Sequence, residues 1–199
     1  YARQSISEQD LNAVAEVLQS DYLTQGPVVP AFEDAVAQLV GAKYAVAGNS
    51  ATSMLHLACL ALGVTTGDLV WTSPNSFVAS ANCALYCGAE IDFVDIDSET
   101  FNMSATALAA KLELAKKSNR LPKVIIPVHM GGQSCDMQSI GSLARQYDIK
   151  VIEDASHAIG GTYNSQRIGN CAHSDITIFS FHPVKIITSG EGGMATTQD

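Results

Sequence analysis

The sequence is poor in charge and in aromatic rings: 16% of its 199 residues are charged and 7% are Phe, Trp or Tyr, with Trp71 the single tryptophan. It has 11 Lys and Arg against 20 Asp and Glu, a formal net charge of −9, and no extended basic run. Phosphate-backbone binding is driven by clustered Lys and Arg, so the composition argues against a nucleic-acid partner. No segment approaches the roughly 18 uninterrupted apolar residues that would suggest a membrane span, and no basic, apolar, small-residue leader opens the chain, which begins at Tyr1. The five cysteines, Cys59, Cys83, Cys87, Cys135 and Cys171, lack disulfide-scaffold or zinc spacing. They read as reduced thiols, and the expected setting is cytoplasmic. Cys83 and Cys87 are spaced for one helix face, but with no second ligand pair nearby core packing accounts for them better than a metal. Two signatures are also missing. "GNSATS" does not supply the G-x-G-x-x-G of a dinucleotide site, and no G-x-S-x-G elbow marks a Ser-His-Asp hydrolase.

What is present is apolar material, 47% of residues, enough for one globular unit. Helical and strand periods alternate, which predicts an α/β fold with a mostly parallel sheet and helices on both faces. Ser7 and Glu8 open a helix, "EQDLNAVAEVLQSD", with Leu11, Val14, Val17 and Leu18 on one face. A loop "LTQGPVVP" and a helix "AFEDAVAQLVG" follow. Then come strand "YAVAG", helix "NSATSMLHLACLALG", strand "DLVWTS", helix "SFVASANCALYCG" and strand "AEIDFVDID". Helix "SATALAAKLELAKKSN" has a basic end that suits its dipole. The nearly continuous apolar run "KVIIPVHM" reads as a central parallel strand. Helix "DMQSIGSLARQYD" and strand "KVIED" come next, and strands "DITIFSF" and "GGMATT" flank a lysine.

Ligands of open parallel sheets bind outside the carboxyl ends of the strands. The stretches leaving those ends are "NSATSM", "PNSF", "GGQS", "ASHA" and "HPVK". In "NSATS" the hydroxyls of Ser50, Thr52 and Ser53, with free N–H groups at a helix start, suit a phosphate; a plain helix cap accounts for one hydroxyl but not three. Asp154 reads as a helix cap or as a partner for a cationic ring, His157 as a buried hydrogen-bonded residue or a ligand contact, and Phe77 as core or a ring-stacking face. Lys185, in the strand-like run "HPVKIIT", reads as a side chain that lays its stem among apolar neighbours or as an imine nucleophile. Pyridoxal phosphate would use all of these together: a phosphate cradle, a flat apolar face, a carboxylate at the pyridine nitrogen and a lysine for the aldehyde.

The strings "LTQGP", "NSATS", "VIEDASHAIGG" and "FSFHPVKIITSGEGG" resemble, in order and spacing, the DegT/DnrJ/EryC1/StrS family of sugar aminotransferases, pyridoxal phosphate enzymes of fold type I. The resemblance covers essentially the whole chain. It implies that Lys185 forms the internal aldimine and moves the proton during transamination. By the same resemblance Asp154 pairs with the pyridine nitrogen, Phe77 stacks on the ring, and Thr52 and Ser53 hold the phosphate with Ser180 nearby. His157 contacts a ring substituent. It implies a nucleotide-linked 4-keto-6-deoxy sugar as acceptor, glutamate as donor, and a homodimer with shared active sites. Lysine rather than histidine at position 185 favours amination over dehydration of the sugar. The strings "GQSCDM" and "FHPVKIIT" look most like the pseudaminic-acid branch. Family members are roughly twice this length, so residues 1–199 are expected to be an incomplete large domain, with the small C-terminal domain beyond them.

Overall fold

The structure, a computed structural model, describes residues 3–199; Tyr1 and Ala2 lie outside the described residues. Helix α1, Glu8–Gln19, starts with a capping box: Asp10 N–H donates to Ser7 Oγ at 3.3 Å and Ser7 N–H donates to the Asp10 carboxylate at 2.7 Å. Its apolar stripe is largely uncovered among the described residues: Leu11, Val14 and Leu18 are each more than half exposed, and Val17 is partly buried. Helix α2, Val28–Val40, begins three residues before the expected start and ends at Gly41 in the left-handed conformation. Pro30 falls in its first turn, where the missing N–H would have lacked an intrahelical acceptor anyway.

Then follow β1 (Tyr44–Gly48), α3 (Ala51–Ala61), β2 (Leu69–Thr72), α4 (Ala79–Tyr86), β3 (Glu90–Phe93), α5 (Ala105–Lys117), β4 (Val124–Ile126), α6 (Met137–Gln146) and β5 (Lys150–Asp154). A short hairpin of β6 (Thr162–Tyr163) and β7 (Gln166–Arg167) precedes β8 (Ile176–Ser180) and β9 (Gly193–Thr197). Seven strands form one sheet in the order β1-β9-β8-β5-β4-β2-β3. β9 runs antiparallel to both of its neighbours and the remaining pairs are parallel.

Alternate strand residues go to opposite faces. Val70, Ile126 and Ile152 join Leu55 and Cys59 of α3 and Cys83 of α4, while Trp71, Ile125 and Val151 join Leu108 and Leu112 of α5 and Ile140 of α6. A third cluster packs Val36 and Val40 of α2 on Phe179, Phe181 and Met194. Each fully buried side chain of this size contributes about 1.5–3 kcal/mol. With apolar layers on both faces, the parallel strands read as apolar runs in the sequence.

Five further details differ from the sequence reading. The run "KVIIPVHM" gives only three strand residues, because Pro127 has no N–H to continue the ladder and Val128 makes a single bridge to Asp154. The run "AEIDFVDID" gives four, and the chain then turns where Asp97 Oδ1 accepts from the N–H groups of Glu99 and Thr100. Helix α4 begins at Ala79, leaving residues 76–78 as a bend. The β6–β7 hairpin has no counterpart in the expected elements; Asn164 and Ser165, both at positive φ, form its two-residue turn. Residues 182–190 form successive turns rather than a strand, and Val184, Ile186 and Ile187 are exposed.

Candidate active site

The strand ends meet at a cavity of about 610 Å³. α3 enters it end-on. Ser50 caps the helix, its Oγ accepting from Ser53 N–H at 3.2 Å and donating to Ser53 Oγ at 3.1 Å. The N–H groups of Ala51 and Thr52 have no intrahelical acceptor, and both residues line the cavity. Ser53 does not; its hydroxyl is engaged by the cap. The close approach of α3 depends on a glycine of the "GEGG" stretch: a Cβ on Gly193 would lie 2.4 Å from Ser50 C and 2.5 Å from Ala51 N.

β5 delivers two successive carboxylates to opposite faces. Asp154, at the cavity, is buried, and its Oδ1 accepts from Ser156 N–H at 3.1 Å and Ser156 Oγ at 2.6 Å. Ser80 Oγ, from α4, donates to Oδ2 at 2.6 Å. Glu153 points away from the cavity and accepts from His129 Nε2 at 2.8 Å, from Ser174 Oγ and from Thr177 Oγ1 at 3.3 Å. Burial pushes the Glu153 carboxyl up, yet these donors together hold it below the usual range. The strongest influence on the His129 pKa is burial, which lowers it; Cys135 and Glu153 draw it upward. Backbone geometry decides in favour of the neutral ring, because Cys135 N–H donates to Nδ1 at 3.2 Å and a protonated Nδ1 would meet it head-on.

Lys185 lies in the turn segment after β8 and is half-buried in the cavity wall. The strand-like setting expected from "HPVKIIT" is therefore not found: its apolar neighbours Ile186 and Ile187 face outward, and the lysine turns in. Burial lowers its pKa, with the negative charge of Asp154 acting in opposition. His157, on the same wall, is also lowered, by burial first and then by the Lys185 charge. Phe77 is 73% exposed, which removes it from the core and leaves its ring at the cavity. Ser180, at the end of β8, is buried against the same space. At the mouth, His182 Nδ1 accepts from Val184 N–H at 3.3 Å and His182 Nε2 stands 3.7 Å from Glu191.

The cavity thus gathers Thr52, Phe77, Asp154, His157, Ser180 and Lys185, which the sequence singled out, and sets Ser53 just behind it. Sequence reasoning missed Ser76, Ser80, Ser156, His129, His182 and Glu191. Ser156 carried a usable signal, a hydroxyl two residues after a strand-end aspartate. Ser76 and Ser80 carried only their i, i+4 spacing. Among the described residues no cluster of three metal-capable side chains occurs.

A family model described as the DegT/DnrJ/EryC1/StrS aminotransferase family matches residues 4–199. The chain belongs to that family. Among curated members, the spore coat polysaccharide biosynthesis protein SpsC of Bacillus subtilis is 42% identical over 199 residues, covering 100% of this chain and 49% of that protein. The UDP-4-amino-4,6-dideoxy-N-acetyl-beta-L-altrosamine transaminase of Campylobacter jejuni is 41% identical, covering 100% and 51%. The chain therefore spans about half the length of these DegT/DnrJ/EryC1/StrS relatives. Of the solved structures, Helicobacter pylori PseC, an aminotransferase involved in pseudoaminic acid biosynthesis, superposes with a TM-score of 0.90 at 33% identity, covering 100% of this chain and 52% of that one. Spr1654 of Streptococcus pneumoniae, in its PLP-form, gives a TM-score of 0.90 at 30% identity, covering 100% and 53%. A PMP-form of the same protein gives 0.89. The expected fold, the α/β large domain of fold-type I pyridoxal phosphate aminotransferases, is the one this DegT/DnrJ/EryC1/StrS chain adopts.

The residues fit the cofactor seen in those forms. Two unpaired helix N–H groups and the Thr52 hydroxyl suit a phosphate, a buried carboxylate with an acceptor position to spare suits a protonated pyridine, and an amine of lowered pKa suits an aldehyde.

Proposed function

We propose that this protein contributes the cofactor-binding large domain of a pyridoxal phosphate-dependent aminotransferase that passes an amino group from glutamate to a nucleotide-linked 4-keto-6-deoxy sugar. The observation that carries this reading is the meeting of Lys185, Asp154, Phe77 and the start of α3 around one cavity. When bound, the cofactor supplies an aldehyde to take up the amino group and an electron-withdrawing ring.

The chain's own residues then have distinct tasks. Lys185 engages the aldehyde and takes and returns a proton, a role helped by burial, which raises the share of neutral amine at a given pH. Asp154 holds a proton on the ring nitrogen. Thr52 and Ser180 form the phosphate end, assisted by the α3 dipole, and Ser53, just behind the cavity, supports it by holding Ser50 in the helix cap. Phe77 lays its face along the ring, and His157 bonds a ring substituent.

For the acceptor we favour UDP-2-acetamido-2,6-dideoxy-β-L-arabino-hexos-4-ulose, the 4-keto sugar of pseudaminic-acid biosynthesis. The names of the Campylobacter and Helicobacter relatives support this choice, as do the strings "GQSCDM" and "FHPVKIIT". SpsC is 42% identical and the Campylobacter transaminase 41%, so the sugar is decided by experiment, in the second arm below. We further propose a homodimer with shared sites in the cytoplasm. The open apolar stripe of α1 supports the dimer, and the free thiols support a reducing compartment. Among the described residues no helix is long and apolar enough to cross a membrane.

The test has two arms. Borohydride treatment of the protein with pyridoxal phosphate should fix one cofactor mass on the peptide containing Lys185; labelling elsewhere, or none, overturns the assignment. Competing the pseudaminic-branch keto-sugar with UDP-4-keto-arabinose and GDP-4-keto-6-deoxymannose, with glutamate and NMR at C4, should show the first aminated fastest. A preference for either rival overturns the sugar and keeps the aminotransferase. Cofactor fixed on Lys185 with no amination of any sugar would identify a binding homologue without turnover.

A further inference from the structure

We infer that Ser80 is a positioning residue for Asp154, and that Ser76 links it to the cavity wall, so that two hydroxyls in series set how firmly Asp154 holds a proton on a ring nitrogen beside it. The inference rests on the cofactor reading above and adds to it two residues of α4 and its approach.

The count of hydroxyl protons fixes the direction of the series. Ser80 is fully buried, and its hydroxyl has one proton, which goes to Asp154 Oδ2 at 2.6 Å. Ser80 Oγ stands 2.7 Å from Ser76 Oγ, and with the Ser80 proton committed to Asp154 that short contact takes the Ser76 proton, in preference to the Phe77 carbonyl oxygen 3.2 Å from the same hydroxyl. The series therefore runs Ser76 to Ser80 to Asp154, each bond polarising the next. Ser76 is only partly buried and lines the cavity.

Asp154 receives three donors, two on Oδ1 from Ser156 and one on Oδ2 from Ser80. A carboxylate has about four acceptor positions, so one remains, on Oδ2. That is the oxygen Ser80 steers. Among the described residues Asp154 is in no ion pair, so hydrogen bonds, not a cation at contact distance, fix its carboxylate. The charged or titratable groups around it are Lys185 from the segment after β8, His157 from the segment after β5, His129 from the segment after β4 and the Cys83 thiol of α4. None of these bonds to its oxygens. Ser76 precedes α4 and Ser80 lies within it, their hydroxyls in contact, so a ligand group that bonds Ser76 would act on the carboxylate through two hydroxyls without touching it.

Loss of the Ser80 donor leaves Oδ2 free to rotate and to take more of the shared proton. With pyridoxal phosphate labelled with 15N in the ring, the wild type should show the protonated-pyridine resonance. Ser80→Ala should move it toward the neutral-pyridine position, Ser76→Ala should move it less in the same direction, and Ser80→Thr should restore it. The pH midpoint of the bound cofactor's absorbance change should move by about one unit in Ser80→Ala, a tenfold change in the equilibrium. A Ser80→Ala protein that binds cofactor with an unchanged nitrogen resonance overturns the inference. So does a shift in Ser80→Ala with none in Ser76→Ala, as regards the series. If Ser80→Ala does not fold, Ser76→Ala and Ser80→Thr decide it: a shifted resonance in the first with a native one in the second supports the series, and native resonances in both overturn it. A wild type whose ring nitrogen is unprotonated would instead overturn the role of Asp154, and the inference with it.

Discussion

Gly193 of β9 touches the peptide that joins Ser50 to Ala51, so closely that a Cβ would fall 2.4–2.5 Å from three backbone atoms there. Backbone cannot swing aside as a long side chain can. Gly193→Ala should therefore push the start of α3 away from the sheet and misplace the N–H groups of Ala51 and Thr52. The expected cost is about 1–3 kcal/mol of stability, as for other overpacked sites, and a loss of roughly tenfold or more in affinity for pyridoxal phosphate. Urea melts and a cofactor titration measure the two. Unchanged affinity would show that the phosphate end lies elsewhere.

His129, on the cavity wall, and Glu153, behind it, form a buried hydrogen-bonded pair, with Ser174 and Thr177 completing the carboxylate's partners. Glu153→Gln should destabilise the fold by about 1–3 kcal/mol, because the amide nitrogen cannot accept from the buried donors that the carboxylate oxygen in its place receives. The direction of the carboxyl's shift sets the pH dependence. A carboxyl held below its unfolded value stabilises the fold above that value, about pH 4.3, and ceases to do so as pH falls through the folded value. The gap in stability between wild type and Glu153→Gln should thus be full at pH 6–7 and narrow below about pH 4.3. A gap constant down to pH 3 would mean that Glu153 is folded as the neutral acid.

Much of this arrangement is legible in the sequence, because buried parallel strands leave apolar runs and ligands sit at their ends. Asp154 stands at the end of such a run and Lys185 just past another, whereas Thr52 follows β1, an edge strand antiparallel to β9. The misreadings have physical sources. Pro127 stops a strand whose composition continues, since apolarity does not report a missing N–H. Val184, Ile186 and Ile187 look like strand core yet are 44%, 67% and 50% exposed, because nothing among the described residues covers them. Leu11, Val14 and Leu18 of α1 mislead in the same way. Ser80 is invisible for another reason: a hydroxyl inside a helix breaks no period, and only the pairing of α4 with β5 reveals what it touches.

Phe77 separates two kinds of contribution. A core phenylalanine costs about 3–5 kcal/mol when cut to alanine, but at 73% exposure this ring has little to lose. Phe77→Ala should change the urea midpoint by less than about 0.5 kcal/mol equivalent and weaken cofactor binding by about 1–2 kcal/mol, roughly five- to thirtyfold, through the lost ring face. Phe77→Tyr should bind nearly as well as wild type. A large stability loss with normal binding would return Phe77 to a structural role.

Lys185 and Asp154 are coupled by charge across the cavity. Burial lowers the lysine's pKa, and the Asp154 charge works against that lowering. The two influences can be separated by removing one. In cofactor-free protein, the rate at which Lys185 reacts with an amine-directed reagent should rise with pH to a midpoint below the ordinary lysine value of about 10.4. Asp154→Asn removes the charge and leaves the burial, so its midpoint should lie lower still, giving more neutral amine at pH 7. Cofactor should attach to the variant at least as readily, yet turnover should fall steeply, by about 10²-fold or more, because an amide cannot hold a proton on the ring nitrogen as a carboxylate does. Faster attachment with slower turnover is the signature that sets Asp154 apart from a helix cap. A variant with an unmoved lysine midpoint and undiminished turnover would reduce Asp154 to a residue that shapes the end of β5.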